Sequence, residues 1–300
     1  MSPSFTAEPT AEPTSGSSVA IGALEDFPAN GFAVLRDLFS ADEVDGLRRE
    51  ASAVCRGERG SFEGLRNDGT QRSDEEVMTD FLAIHYPHKI SEVFADVMRH
   101  PTAVRALTRV IGPNVKAMQS MLFIKAAGKP GQAWHQDEHF IPTRDRSLTG
   151  LWIALDDATV ENGCLWVLPG SHRRGVLYPS RVQSDEQFDC NGEAHAFPHS
   201  DDEAVPVEVP AGSAVLFNGY LLHRSLPNTA RTGLRRALVN HYMSAESLLP
   251  WQTLPEGTHI GEHDYRDITL VAGSDPYAYK GTEDIARSYV RPSGEGGCDR

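Results

Sequence analysis

The sequence predicts a mainly β protein, a sandwich or barrel that we expect to be a jelly roll, with α-helices flanking it on the N-terminal side. Three observations predict it. From Val115 onward, short runs rich in β-branched and aromatic residues alternate with Gly/Pro turns. Before Val115, two zones carry apolar residues at helical spacing. The chain has 300 residues, 40% of them hydrophobic and 23% charged. That is the make-up of a globular protein long enough to bury a large core.

The elements follow in order. Residues 1–20 repeat Thr-Ala-Glu-Pro and end in Ser-Gly-Ser-Ser, with almost no apolar bulk, so we expect a disordered leader. Gly31 to Leu35 reads as a short strand. Ser40 followed by Glu43 forms a capping box, and Val44, Leu47, Ala51 and Val54 give the helix behind it one apolar face. A second helical zone runs from Ser91 to Ile111, broken by Pro101 and ended by Gly112-Pro113. Strands are expected at Ala117–Ala126, Gly150–Leu155, Cys164–Leu168, Val205–Val209, Ser213–Phe217 and Ala237–Met243, with a hairpin-type turn at Glu161-Asn162-Gly163.

Arg173 to Ala204 is polar, acidic and without periodicity, as a lid or an unstructured segment would be. After Pro250 the chain reads as loop wrapping the core. The expected organisation is a leader (1–20) and one domain over 21–295. That domain comprises a helical scaffold (40–112), a jelly-roll core (115–245) and a C-terminal wrap (246–295).

A net charge of -14 argues against a nucleic-acid backbone or an anionic membrane as the main partner. Apolar runs are too short to span a bilayer, and Met1 to Phe5 lacks the features of a signal peptide. Cys55, Cys164, Cys190 and Cys298 are scattered, without a CxxC pair, as reduced thiols in a cytoplasm would be. The expected partner is a small molecule, with neither nucleic acid nor membrane involved.

Chemistry points to Trp134-His135-Gln136-Asp137. In an extended segment positions i and i+2 share a face, so His135 and Asp137 reach one metal ion. His223, after the apolar run Ala214–Phe217, is the candidate third ligand. Two histidines and a carboxylate on one side of iron leave open positions for a substrate, a co-substrate and O2. Among the other histidines, His139 stands as a pocket residue or a partner to the ligands, and His172 as a turn-stabilising group. His85, His88, His100, His195, His199, His241, His259 and His263 have no spacing that favours chemistry. Lys125 either projects into the pocket or faces solvent.

Five motifs then occur in order: His135-Gln136-Asp137; Trp152 to Asp156; Glu161-Asn162-Gly163 through Pro169-Gly170-Ser171-His172; His223-Arg224-Ser225-Leu226-Pro227-Asn228; and Arg235-Arg236-Ala237. Together they resemble the phytanoyl-CoA dioxygenase family, over roughly residues 117 to 245. The resemblance implies an Fe(II)- and 2-oxoglutarate-dependent dioxygenase on a double-stranded β-helix, a cupin-like jelly roll. It implies that His135, Asp137 and His223 hold the iron and that Arg235 grips the far carboxylate of 2-oxoglutarate. Gln136, Trp152 and Ser225 would line the co-substrate pocket. The interval from His223 to Arg235 is one residue longer than the family spacing, which leaves Arg236 as an alternative anchor. A guanidinium suits the task because its planar fork meets a carboxylate with two hydrogen bonds.

The implied reaction consumes 2-oxoglutarate and O2 and releases succinate and CO2 while a substrate C–H bond is oxidised. Related halogenases carry a small residue where this chain has Asp137, so oxygenation is expected. Hydroxylation is the default, with desaturation, epoxidation and ring formation as alternatives. Residues 60–90, 139–147, 173–204 and 250–280 are expected to shape the substrate pocket. No basic cluster suited to a CoA phosphate stands out, so a small metabolite or natural-product intermediate is expected instead. Competing readings are a cupin-like metal-dependent isomerase or lyase, which has no need of Arg235, and a non-catalytic relic binding module, which should have lost a ligand. A Ser-His-Asp hydrolase is disfavoured because no Gly-x-Ser-x-Gly elbow occurs.

Overall fold

Strand alternation sorts the interior into two layers. A computed structural model of the chain describes residues 24–66, 71–189, 192–248, 268–282, 284 and 286–292. The expected leader, residues 250–267 and two of the cysteines, Cys190 and Cys298, lie outside the described residues.

The described helices are α1 (Phe27–Asn30), α2 (Ala41–Cys55), α3 (Asp74–Met78), α4 (Glu92–Val97), α5 (Pro101–Val110) and α6 (Asp137–Phe140). The strands are β1 (Phe32–Leu35), β2 (Phe81–His85), β3 (Val115–Ala126), β4 (Gln132–His135), β5 (Thr149–Ala154), β6 (Leu165–Val167), β7 (Ser180–Val182), β8 (Gly192–Ala194), β9 (Val205–Val207), β10 (Ala214–Asn218), β11 (His223–Ser225), β12 (Leu234–Ser244), β13 (Thr269–Ala272) and β14 (Tyr289–Pro292). An eight-stranded sheet has the order β1-β10-β5-β12-β3-β2-β14, with β13 also on β3. A four-stranded sheet, β4-β11-β6-β9, faces it, and β7 pairs with β8.

In the large sheet, Leu122, Ile124, Leu151, Ile153, Leu216 and Leu238 point to one side and pack with Val44, Leu47, Phe94 and Leu107 of the helices. Their sequence neighbours Trp152, Val215, Phe217, Ala237 and Val239 point to the other side and meet Leu165, Val167 and Val207 of the small sheet. Side chains alternate with a period of two, so each central strand feeds both layers. This is the expected jelly roll with its helices on the outer face.

The predicted helix boundaries carry over. Ser40 Oγ accepts from Glu43 N while Glu43 Oε2 accepts from Ser40 N, the capping box at the start of α2. Pro101 opens α5, where its missing N–H is no loss. Cys55 and Cys164 are buried free thiols. Burial pushes them up to about 12 and about 11, so neither is a reactive thiolate.

Three expectations are corrected. The Glu161-Asn162-Gly163 turn does not close a hairpin, because β5 pairs with β10 and β12 while β6 pairs with β9 and β11. It carries the chain from one sheet to the other. Residues 173–204 are not patternless; they contain the β7–β8 hairpin. Segment 60–90, expected to help shape the pocket, includes β2, a full member of the large sheet whose Leu82 lines a cavity. The C-terminal stretch supplies β13 and β14 rather than loop alone.

Candidate active site

His135 ends β4 and His223 opens β11, and the two residues sit directly opposite each other in that antiparallel pair. Their rings lie 4.0 Å apart between centroids. Each Nδ1–H donates to the carbonyl two residues back, His135 to Ala133 at 2.8 Å and His223 to Leu221 at 2.9 Å. With Nδ1 protonated, both Nε2 lone pairs are free to bind a metal.

Asp137 completes the group. Its Oδ1 lies 3.6 Å from His135 Nε2 and 3.5 Å from His223 Nε2. The three donor atoms fall within 4.8 Å of one another. The strand was expected to continue through Asp137; instead β4 stops at His135 and Asp137 begins α6. Gln136 between them keeps extended angles, φ -128° and ψ 126°, so positions 135 and 137 still share a face.

Burial alone would raise the Asp137 carboxyl. His223, His241 and His135 outweigh it and hold the carboxyl well below the usual range. Burial and the neighbouring His223 push His135 down to about 3, which keeps it neutral. One ionised carboxylate and neutral imidazole nitrogen form a donor set suited to a divalent first-row metal.

His241 is the functional residue that sequence reasoning missed. Its Nε2–H donates to Asp137 Oδ2 at 2.8 Å, fixing the carboxylate so that Oδ1 faces the imidazoles. Its position held a clue. Arg235, Ala237, Val239 and His241 occupy alternate positions of one strand, so all four point inward.

That alternation also separates the two candidate anchors. Arg236 points outward and meets Asp156 with Nε and Nη2 at 2.8 and 2.7 Å. Arg235 points inward, 3% exposed, its guanidinium 5.4 Å from the centre of the Trp152 ring. Its Nε has no hydrogen-bond partner, and among the described residues no carboxylate forms an ion pair with it. Burial lowers it to about 10, so it stays charged at neutral pH. It lines a cavity with Lys125, Gln132, Asp189 and Ser225.

Ser225 follows His223 by two residues and shares its face of β11; its Oγ accepts from Lys125 Nζ at 2.9 Å and Gln132 N at 3.2 Å. Lys125, for which a pocket and a solvent position were both open, is buried and also donates to Leu226 O at 2.6 Å. Gly163 is required beside it. Its φ is +82°, and a Cβ there would meet Leu226 O at 2.5 Å and Lys125 Nζ at 2.9 Å.

Gln136 does not line this cavity. Its Nε2 donates to Val176 O and Tyr220 O, and its Oε1 accepts from Tyr178 N. It is a brace holding two loops together. His139 is exposed and packs edge-on against Phe140. His172 was expected to stabilise its own turn; its Nε2–H instead donates to Pro28 O at 3.2 Å and ties the segment to α1.

A family model, phytanoyl-CoA dioxygenase (PhyH), matches residues 27–237. The chain belongs to the phytanoyl-CoA dioxygenase family. With it comes the enzyme class, the Fe(II)- and 2-oxoglutarate-dependent dioxygenases. Phytanoyl-CoA dioxygenase 1 of Oryza sativa subsp. japonica is 32% identical over 254 residues, covering 74% of this chain and 88% of that protein. A probable alpha-ketoglutarate-dependent hypophosphite dioxygenase of Stutzerimonas stutzeri is 28% identical, covering 81% and 82%. Among solved structures, the epimerase SnoN in complex with Fe3+, alpha ketoglutarate and nogalamycin RO superposes with a TM-score of 0.60 at 18% identity, covering 93% of this chain and 98% of that one. The carbocyclase SnoK gives a TM-score of 0.58 at 21% identity, covering 81% and 91%. These structural likenesses carry the fold: a jelly roll with the same two-sheet core.

Proposed function

We propose that this protein oxidises an unactivated C–H bond of a small metabolite or natural-product intermediate, with hydroxylation as the outcome. It would use Fe(II), 2-oxoglutarate and O2 and release succinate and CO2. The observation that carries this reading is the coincidence, on the inner faces of the two sheets, of the His135–Asp137–His223 group with a buried arginine that lacks a carboxylate of its own. A metal-dependent isomerase would need the first and not the second.

His135, Asp137 and His223 would hold the iron. When bound, ferrous iron couples decarboxylation of the keto acid to oxidation of a C–H bond, one oxygen atom of O2 going to succinate and the other to the product. The chain's own residues set the geometry. The two backbone carbonyls orient the imidazoles, and His241 orients Asp137. Arg235 would take the far carboxylate of 2-oxoglutarate through its fork, with the Ser225 hydroxyl and the Lys125 ammonium beside it. Trp152 covers the guanidinium face and helps exclude water.

The outcome depends on which carbon lies beside the metal. SnoN is described as an epimerase and SnoK as a carbocyclase, so this fold hosts outcomes beyond hydroxylation. The S. stutzeri relative is named for hypophosphite, which agrees with a substrate other than an acyl-CoA. Among the described residues no helix is long and apolar enough to cross a membrane. A cytoplasmic location is part of the proposal.

The test is a substrate screen with Fe(II), ascorbate and 2-oxoglutarate, followed by succinate release and product mass. A gain of one oxygen, coupled to succinate, supports hydroxylation. A product formed without consumption of 2-oxoglutarate would instead establish the isomerase reading.

A further inference from the structure

One more buried cation faces the interior, at the edge of the Arg235 cavity, where its ion-pair partner Asp189 forms part of the lining. Arg291 on β14 is 7% exposed and lies opposite Ala83 of β2, which lies opposite Phe123 of β3. Phe123 lines the Arg235 cavity, so strand alternation puts Arg291 on that same inner face. Its charge is felt at both His135 and His85.

Arg291 is only partly satisfied. Its Nη2 forms a buried ion pair with Asp189 Oδ2 at 2.6 Å, while its Nε and Asp189 Oδ1 have no hydrogen-bond partner. The same wall carries further buried polar atoms without partners: His85 Nδ1, Gln119 Oε1 and His241 Nδ1. His85 is stacked on Tyr289 of the same β14 strand at 4.3 Å, and Gln119 sits opposite His241. Each such buried group keeps the cost of leaving water without a bond to replace it. Several gathered beside the candidate metal ligands describe a polar surface that a bound molecule completes.

That molecule is not the keto acid. The backbones of Arg235 on β12 and Arg291 on β14 stand three strand spacings apart, with β3 and β2 between them. Asp189 lines the Arg235 cavity and pairs with Arg291, so a keto acid held by Arg235 meets that carboxylate, a like charge, before it meets Arg291.

We propose that Arg291 anchors an anionic group, a carboxylate or phosphonate, on the primary substrate, with His85 and Gln119 bonding its polar groups closer to the oxidised carbon. This inference rests on the oxygenase reading above. It makes the preferred substrate a compact anion, not a neutral lipid.

The test uses the full-length protein loaded with Ni(II), its keto-acid site saturated with N-oxalylglycine. Binding is read by melting temperature and tryptophan fluorescence for matched pairs: hexanoate and hexanamide, phenylacetate and phenylacetamide, methylphosphonate and its dimethyl ester. In the wild type the anionic member of at least one pair should bind at least about tenfold tighter, the worth of one charge-assisted hydrogen bond. Arg291→Gln should reduce that preference to about twofold or less while leaving N-oxalylglycine affinity within about threefold. Asp189→Asn, which removes the competing carboxylate, should tighten the same anion, and it decides the matter if Arg291→Gln does not fold.

Three results would overturn the proposal: no discrimination within any pair by the wild type, a preference that survives Arg291→Gln, or weaker anion binding in Asp189→Asn. If Arg291→Gln weakens N-oxalylglycine as much as the test anions, Arg291 belongs to the keto acid and the proposal also fails. Failure of the wild type to bind N-oxalylglycine at all would instead sink the oxygenase reading.

Discussion

Arg235 on β12 lies directly across the strand pair from Lys125 on β3, two buried cations opposed in one ladder. Like charges so placed repel. Burial first, and then Arg235, push the Lys125 ammonium well below its ordinary value. An entering carboxylate relieves this repulsion, so the conflict favours ligand binding over the stability of the empty protein. Arg235→Met should therefore raise the KM for 2-oxoglutarate about 30- to 1,000-fold, as expected for loss of hydrogen bonds to a charged group worth about 2–4 kcal/mol. The melting temperature of the ligand-free variant should not fall. A variant that loses stability with an unchanged KM would show that Arg235 is structural.

The Asp137 carboxylate is held from behind by His241. Asp137→Ala should abolish 2-oxoglutarate turnover, and undiminished succinate production would remove Asp137 as a ligand. His241→Ala should act more gently, weakening iron affinity about 10- to 100-fold, the usual effect of losing a group that orients a ligand. An iron titration followed by the absorbance of the keto-acid complex separates the two.

Arg236 should behave unlike its neighbour. It joins β12 to Asp156, which also lies 3.3 Å from Arg48 on α2. Arg236→Ala should lower unfolding stability by about 1–3 kcal/mol while leaving the KM for 2-oxoglutarate within about twofold. Urea melts and steady-state kinetics on the same preparation check both halves.

Gln136 ties the segment Val176–Tyr178 to Tyr220 through three hydrogen bonds. Gln136→Ala should cost about 1–3 kcal/mol and open residues 173–180 to limited proteolysis. If it raises the KM for 2-oxoglutarate with no change in cleavage pattern, the brace reading is wrong.

His88 is pushed down to about 4, first by burial and then by Lys89, while its Nδ1 meets the Ser120 hydroxyl. A histidine that stays neutral when folded but charges at about 6.5 when unfolded binds more protons in the unfolded state between those values. Stability contributed this way is present above pH 6.5 and is lost as pH falls toward 4, at up to about 1.4 kcal/mol per pH unit. His88→Gln should flatten the fall of the urea midpoint between pH 6.5 and 4.5, measured on metal-free protein. An unchanged slope would shift the acid sensitivity to other groups.

The parts of this molecule written in local pattern were legible from the sequence. The capping box at Ser40, the break at Pro101 and seven strands of the two sheets announce themselves through cap chemistry, turn residues and apolar runs. The His135–Asp137 pair and His223 were legible because their chemistry restricts residue type and spacing. Arg235 and Arg236 could have been told apart too, since a strand's period of two puts neighbours on opposite faces. What stayed hidden was long-range. β2 is buried on both faces, so Phe81 to Ile84 shows no alternation to read. Asp189 and Arg291 meet only because a loop and the last strand converge. Gln136 looks like part of a metal motif, but its parity sends it to loops far along the chain. β7 and β8 are short and largely polar, and give no periodic signature.

His135 and His223 face each other across neighbouring strands, in a ladder that forms without any bound ion. Within the excursion between them, Asp137, β5, β6, β9 and β10 build the site and its sheets, whereas the β7–β8 hairpin pairs with neither sheet and supplies no metal ligand. A protease nick in the exposed hairpin should leave a two-fragment protein that still captures iron. Grafting or trimming that hairpin offers a route to new substrate preferences without dismantling the metal centre.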